Sequence, residues 1–97
     1  MSKWLVERRL SESSERLKRL RGERQVADEQ LAFLNDTAEE ARMRALVSET
    51  PLAEQESREA QRHADAMTRH RADLDAEIRE LERSQDELLD RLARELG

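Results

Sequence analysis

The sequence predicts an all-α protein, a long antiparallel two-helix coiled-coil hairpin. Alanine, glutamate, lysine, leucine and arginine make up 60 of the 97 residues, above the roughly one half that is typical of coiled coils and long helices. The chain has two glycines, one proline and no tyrosine, so the turn residues and strand formers of a β-sheet protein are scarce. Apolar residues recur at alternating spacings of four and three, which is the seven-residue repeat of a coiled coil.

The first helix is predicted from about residue 4 to residue 47. Its seam, the set of repeating positions that face the partner helix, is apolar at ten of twelve positions. These positions are Val6, Leu10, Ser13, Leu17, Leu20, Arg24, Ala27, Leu31, Leu34, Ala38, Ala41 and Ala45. The segment that begins at Asn35-Asp36 resembles a capping box and could start a new helix. Because the seam keeps its phase through this segment, we expect one continuous helix.

The turn is predicted at residues 48–50 and the second helix at about 51–96. Pro51 suits the first position of a helix, where its missing N–H would have no partner anyway. Thr50 is a natural N-cap, and a residue before proline is pushed out of α geometry, which ends the first helix. The second seam is apolar at nine of twelve positions: Ala53, Ser57, Ala60, Ala64, Met67, Arg71, Leu74, Ile78, Leu81, Gln85, Leu88 and Leu92.

One register aligns the two seams along their whole length. It places opposite each other residues whose numbers sum to 98, such as Leu17 and Leu81. Polar seam residues usually set a register at some cost in stability, and here they are Ser13, Arg24, Arg71 and Gln85. A slip by one heptad, to a sum of 105, stays open because the flanking charges are mixed. These flanking residues lie beside the seam, on either side of the positions that sum to 98. In that register the oppositely charged pairs Arg21–Asp75 and Arg42–Glu54 are favourable, and the like-charged pairs Arg9–Arg91 and Glu23–Glu77 are unfavourable.

The net charge differs between the segments of the chain. Residues 1–24 carry a net charge of +4 and residues 72–97 carry −5, so a hairpin would lay two compensating stretches side by side. We expect no nucleic-acid binding, because the whole chain carries −5 and no aromatic residues are interleaved for base stacking. Residues 25–60 carry a net charge of −6, which predicts an acidic hairpin tip.

No group of residues predicts catalysis. The chain has no cysteine or tyrosine, no glycine-rich phosphate loop and no nucleophile elbow. His63 and His70 lie two helical turns apart, about 10.5 Å, which is too far to share one metal ion. We therefore expect a protein that is not an enzyme and has no cofactor or metal. No long apolar run predicts a membrane span, and we expect a cytoplasmic protein that does not bind membranes.

Apolar residues outside the seam predict interaction surfaces. A lone two-helix hairpin is marginally stable, so we expect self-association into a dimer or a tetramer, as a helical bundle. The residues expected on the oligomer face are Val26, Phe33 and Trp4, of which Trp4 covers either the open end of the hairpin or an oligomer partner. A second surface near the turn is expected to bind a protein partner and comprises Met43, Leu46, Val47, Glu49 and Leu52.

The hairpin with an acidic tip resembles the N-terminal half of the Gre transcript-cleavage factors. This resemblance rests on the shape and on Ser48-Glu49, which offers one tip carboxylate where that family has two. It implies a tip that reaches into the secondary channel of RNA polymerase. The missing second carboxylate puts the family's catalytic metal in doubt, and these 97 residues contain no counterpart of its second globular domain.

The chain also resembles the small helical hairpins of cyclic di-GMP-dependent anti-sigma proteins, which carry E-x3-S-x2-R-x3-Q-x3-D. The best-aligned positions here are Thr50, Glu54, Ser57, Gln61 and Asp65, of which only the last two match. The resemblance implies an anti-sigma-like role without a nucleotide, and cyclic dinucleotide binding is not expected. Arginine outnumbers lysine 16 to 2, which favours a bacterial source with a GC-rich genome.

The sequence thus predicts a non-enzymatic coiled-coil interaction or scaffold module that self-associates or docks on a protein partner. The alternative is a transcription regulator that presents the acidic hairpin tip to RNA polymerase or to a sigma factor.

Overall fold

The computed structural model describes residues 2–97, which form two α-helices joined by a two-residue connection. Helix α1 spans Lys3–Ser48 and helix α2 spans Pro51–Leu96. The helices pack against each other as a helical hairpin, and the described residues contain no strand. The predicted fold class is confirmed. Helix α1 runs unbroken through Asn35-Asp36, so the expected continuous helix is confirmed as well.

Local features at Glu49 and Thr50 determine the connection. Glu49 adopts a left-handed backbone conformation with φ of 50°, which is uncommon for a residue with a side chain and ends α1. Its amide still donates to the carbonyl oxygen of Ala45 at 3.0 Å. Thr50 Oγ1 accepts a hydrogen bond from the amide of Ala53 at 3.2 Å. Thr50 therefore caps α2 as predicted, and Pro51 occupies the first helical position.

The chain divides into two compact units. The open-end unit comprises Met1–Arg24 and Leu74–Gly97, and the turn unit comprises Gln25–Asp73. The open-end unit has twelve basic and twelve acidic residues, so its net charge is zero. The turn unit has six basic and eleven acidic residues, a net charge of −5. The whole formal charge of the protein is thus carried by the turn unit.

Large aliphatic side chains form the core of the open-end unit. Its buried residues are Val6, Leu17, Leu20, Leu74 and Ile78, all at predicted seam positions. Complete burial of one such side chain stabilises the fold by about 1.5–3 kcal/mol. This unit therefore obtains most of its stability from the packing of its seam.

The core of the turn unit consists of alanine. Its buried residues are Ala27, Ala38, Ala41 and Ala64, again at predicted seam positions. Leu31, Leu34 and Met67 are only half-buried. Small side chains remove little apolar area from water, so the turn unit gains less hydrophobic stabilisation from its own packing.

Polar contacts between the helices identify the register in each unit. In the register where opposite residues sum to 98, a seam residue also lies close to the residue that follows its opposite partner in the sequence. The numbers of such a diagonal pair sum to 99. Three such hydrogen-bonded pairs are present: Arg24–Asp75 at 2.8 Å and Gln85–Ser14 at 3.0 Å in the open-end unit, and Arg71–Asp28 at 2.6 Å in the turn unit. These contacts agree with the sum of 98 and not with the slip to 105.

One ion pair differs from the prediction in the open-end unit. Arg21 bonds to Glu82 at 3.4 Å and not to Asp75. Asp75 instead binds Arg24 at 2.8 Å and Arg79 at 2.7 Å. A guanidinium on a long stem reaches several positions along the facing helix, so the residue directly across is often not its partner.

Candidate interaction surfaces

The outer face of α1 in the turn unit exposes two apolar side chains that the sequence assigns to an oligomer face. Val26 is 51% exposed and Phe33 is 69% exposed. A groove of about 460 Å³ lies beside Phe33, and its lining consists of Glu29, Gln30, Phe33, Leu34 and Met67. A protruding aromatic ring and an apolar groove therefore lie on the same face, which we call the Phe33 face.

Trp4, the third residue predicted for the oligomer face, belongs to the open-end unit and is 63% exposed. The guanidinium carbon of Arg8 lies 5.5 Å from the centre of its ring, within the range of a cation–π contact. The indole is thus not buried over the open end of the hairpin. Of its two predicted roles, contact with an oligomer partner is the one that stays a prediction.

The residues predicted near the turn form an exposed surface at the hairpin tip. Its apolar members Met43, Leu46, Val47 and Leu52 are between 51% and 85% exposed. A shallow groove of about 360 Å³ runs along Met43, Arg44, Val47 and Ser48. Together with Glu49 in its left-handed conformation, these side chains make the tip both apolar and acidic.

A bidentate ion pair lies beside the tip. Arg42 donates to Glu39 from Nη2 at 2.7 Å and from Nε at 3.1 Å, so it does not pair with Glu54 as the sequence predicted. The hydrogen bonds from Arg42, and then its positive charge, hold the pKa of Glu39 below the usual range of a glutamate. The same contacts raise the pKa of Arg42. Because the pKa of Glu39 is depressed in the folded state, the pair stabilises the helix above the ordinary carboxyl range and is lost as the pH falls through the lowered value.

Ser13 differs from the other three residues predicted to set the register. Arg24, Arg71 and Gln85 each bond to a side chain of the facing helix. The hydroxyl oxygen of Ser13 is buried and has no hydrogen-bond partner within residues 2–97, because Gln85 donates to Ser14 instead. A buried hydroxyl without a partner is destabilising by about 1–3 kcal/mol, so its position needs a physical explanation.

An arginine-lined groove in the open-end unit was not predicted as a site. It has a volume of about 550 Å³ and lies on one flank of the seam. Its lining comprises Arg9, Glu12, Ser13, Arg16, Arg19, Leu81, Ser84, Glu87, Leu88 and Arg91. A signal for it is present in the sequence, since Arg9 and Arg91 occupy facing positions that flank the seam in the register of sum 98.

His63 and His70 are both exposed on α2. Across residues 2–97, no three histidine, cysteine, aspartate or glutamate side chains converge to hold a metal ion. The same part of the chain contains no helical segment that is long and apolar enough to cross a membrane. Comparison of the chain with protein-family models, with curated proteins and with solved structures gave no match.

Proposed function

We propose that the protein is a non-enzymatic coiled-coil interaction module that acts in the cytoplasm and self-associates through the Phe33 face. The observation that carries this proposal is the exposure of Phe33 beside an apolar groove formed with Leu34 and Met67. Exposed apolar side chains that recur at heptad spacing, here Val26 and Phe33, are typical of a second helix-packing surface.

A second copy of the chain is the occupant that fits the Phe33 face. The face carries both a ring that can insert and a groove that can receive a ring, so it is complementary to itself. Two copies related by a two-fold axis would each place Phe33 in the groove of the other. Burial of each ring would add about 1.5–3 kcal/mol. The turn unit, with its alanine core, has the most to gain from a second layer of helices.

The charge of the turn unit determines how this association depends on salt. Its net charge of −5 opposes the approach of a second turn unit. Salt screens this repulsion, because the Debye length falls from about 30 Å at 0.01 M to about 3 Å at 1 M. Self-association through the Phe33 face should therefore strengthen as the salt concentration rises.

We expect Phe33→Ser to weaken self-association by at least about tenfold, because it removes the ring that fills the groove. Sedimentation equilibrium at low and high sodium chloride measures the association constant. Leu96→Ser is the matched control, since Leu96 is 65% exposed against 69% for Phe33 but belongs to the open-end unit, and it should leave the constant unchanged. A native chain that stays monomeric at every salt concentration, or two variants that lose association equally, would refute the proposal.

The exposed tip favours a second candidate function, that of a transcription regulator that binds RNA polymerase or a sigma factor. Four large, exposed apolar side chains lie within six residues of Glu49 in the sequence, and residues 25–60 carry a net charge of −6. An apolar tip within an acidic region suits a basic cleft, because charge steers the encounter and apolar contacts hold the complex.

For this candidate we expect immobilised bacterial core RNA polymerase, or a purified sigma factor, to capture the native chain. Capture should be lost in the double variant Leu46→Ala/Glu49→Ala, which removes one apolar contact and the tip carboxylate. It should persist in Phe33→Ser, because Phe33 lies outside the tip surface. Failure of the native chain to bind either purified protein would remove this candidate and leave the proposal of self-association untouched.

A further inference from the structure

The arginine-lined groove of the open-end unit has no part in the self-association proposed above. Arg16 is ion-paired with Glu77. Arg9, Arg19 and Arg91 line the same groove and form no ion pair with any residue that the structure describes. Three arginines thus line one groove without a counterion among the residues that the structure describes.

Two of these arginines occupy facing positions that flank the seam. In the register where the numbers of opposite seam residues sum to 98, the facing positions that flank the seam on the groove side have numbers that sum to 100. Arg9 and Arg91 are such a pair. Two like charges across a groove repel each other. An anion bound between these two positions would attract both guanidinium groups.

The hydroxyl of Ser13 is a second, independent observation. Its oxygen is buried, lacks a partner among the described residues and belongs to a residue that lines the groove. Serine and threonine within a helix commonly donate to the carbonyl four residues earlier, as Ser48 does at 2.6 Å and Thr68 does at 2.9 Å. Ser13 forms no such bond, and a rotation about its χ1 angle would turn the hydroxyl from its buried position into the groove that the residue lines, where it could donate to an oxygen atom of a ligand.

Two carboxylates in the lining restrict which anions the groove can bind. Glu12, which is bonded to Arg8 at 3.2 Å, and Glu87 reduce the formal charge of the lining from +4 to +2. A multivalent anion gains more from this field than a monovalent one does. The volume of about 550 Å³ lies within the range of about 300–1,000 Å³ for small-molecule sites. Arginine forks match the oxygen atoms of phosphoryl groups in bidentate geometry.

We propose that this groove binds a small anion with two or more phosphoryl groups. The guanidinium groups of Arg9, Arg19 and Arg91 donate to the phosphoryl oxygen atoms, and Ser13 donates its hydroxyl proton as a further hydrogen bond. Leu81 and Leu88 form the apolar part of the lining. This inference is independent of the Phe33 face, because all groove residues belong to the open-end unit.

Calorimetric titration with sodium triphosphate at constant ionic strength tests the proposal. We expect saturable binding that weakens by at least about tenfold in Arg9→Gln/Arg91→Gln, because two charge-assisted contacts are lost. Arg44→Gln/Arg58→Gln is the matched control, since it makes the same change in net charge at two exposed arginines of the turn unit, and it should change affinity less than about twofold. Ser13→Ala, which leaves the charge unchanged, should also weaken binding.

Three results would overturn the proposal: no saturable binding of triphosphate, equal weakening in the two double variants, or tighter binding of an acidic peptide with the same dependence on Arg9 and Arg91. The second result would indicate general attraction, and the third a surface for a protein. Urea denaturation without ligand checks the fold. Arg9→Gln/Arg91→Gln should unfold at nearly the same urea concentration as the native chain, because both arginines are exposed and surface substitutions of this kind have small effects on stability. If that variant loses helical signal, Ser13→Ala decides, and unchanged triphosphate affinity in it refutes the site.

Discussion

Leu17→Ala should lower the free energy of unfolding by about 2–5 kcal/mol, the range for a leucine removed from a close-packed core. Leu17 is 1% exposed and belongs to the aliphatic core of the open-end unit. The substitution removes buried apolar area and leaves a cavity that two long helices cannot readily close. Small domains have only about 5–15 kcal/mol of total stability, so this single change takes a large fraction of it.

Urea denaturation followed by circular dichroism at the helical band measures this effect. Leu96→Ala is the control, because it makes the same chemical change in the same unit at a side chain that is 65% exposed. Surface substitutions of that kind usually alter stability by less than about 0.5 kcal/mol. If the two variants unfold at the same urea concentration, the seam does not supply the stability assigned to it here.

The double variant Arg24→Leu/Arg71→Leu should be more stable than the native protein, by about 1–3 kcal/mol, because each leucine buries apolar area at a seam position where a polar residue lowers stability. In the pair Arg24–Asp75 the side chains are 32% and 17% exposed, so part of their hydration is lost on folding. Asp75 keeps Arg79 at 2.7 Å, so the substitution does not leave a half-buried carboxylate without a partner. Each new leucine extends the apolar seam.

The same variant should have a less specific register, since the polar residues that penalise a heptad slip are gone. The chain contains no cysteine, so introduced pairs report the register directly. Ala45→Cys/Ala53→Cys forms a disulfide in the register of sum 98, and Ala45→Cys/Ala60→Cys does so in the register of sum 105. We expect only the first pair to form in the native background and both to form in the leucine background. A leucine variant that is destabilised and keeps one register would contradict both expectations.

The seam could be predicted from the sequence because burial in a coiled coil follows a single period. All twenty-four predicted seam positions are buried or half-buried, including Ser13 and the two arginines. The two helices begin and end within one residue of the predicted bounds. Pro51 disfavours α geometry in the residue before it and suits the first position of a helix, so the connection is well defined by the sequence. The exposure of Phe33 and of the tip residues also follows from their positions outside the seam.

The ion pairs were harder to predict, because an arginine side chain reaches more than one position on the facing helix. Arg21 selects Glu82, and Arg42 selects a carboxylate on its own helix. The arginine-lined groove was missed for a related reason. In the sequence alone, a like-charged pair such as Arg9 and Arg91 indicates only an unfavourable alignment of the helices. It becomes a candidate binding site only once independent contacts establish that alignment.

The alanine core of the turn unit has a consequence for the order in which the hairpin folds. Contacts close to a turn need the least loop-closure entropy and usually form first. In this chain the buried residues near the turn are alanines, whereas the large buried aliphatic residues of the open-end unit, such as Leu17 and Ile78, lie far apart in sequence. The contacts with the smallest loss of loop-closure entropy thus stabilise the hairpin least, and the most stabilising contacts require the longest loops to close. The hairpin should therefore fold slowly for an all-helical protein, because the contacts that stabilise it most are the last to form.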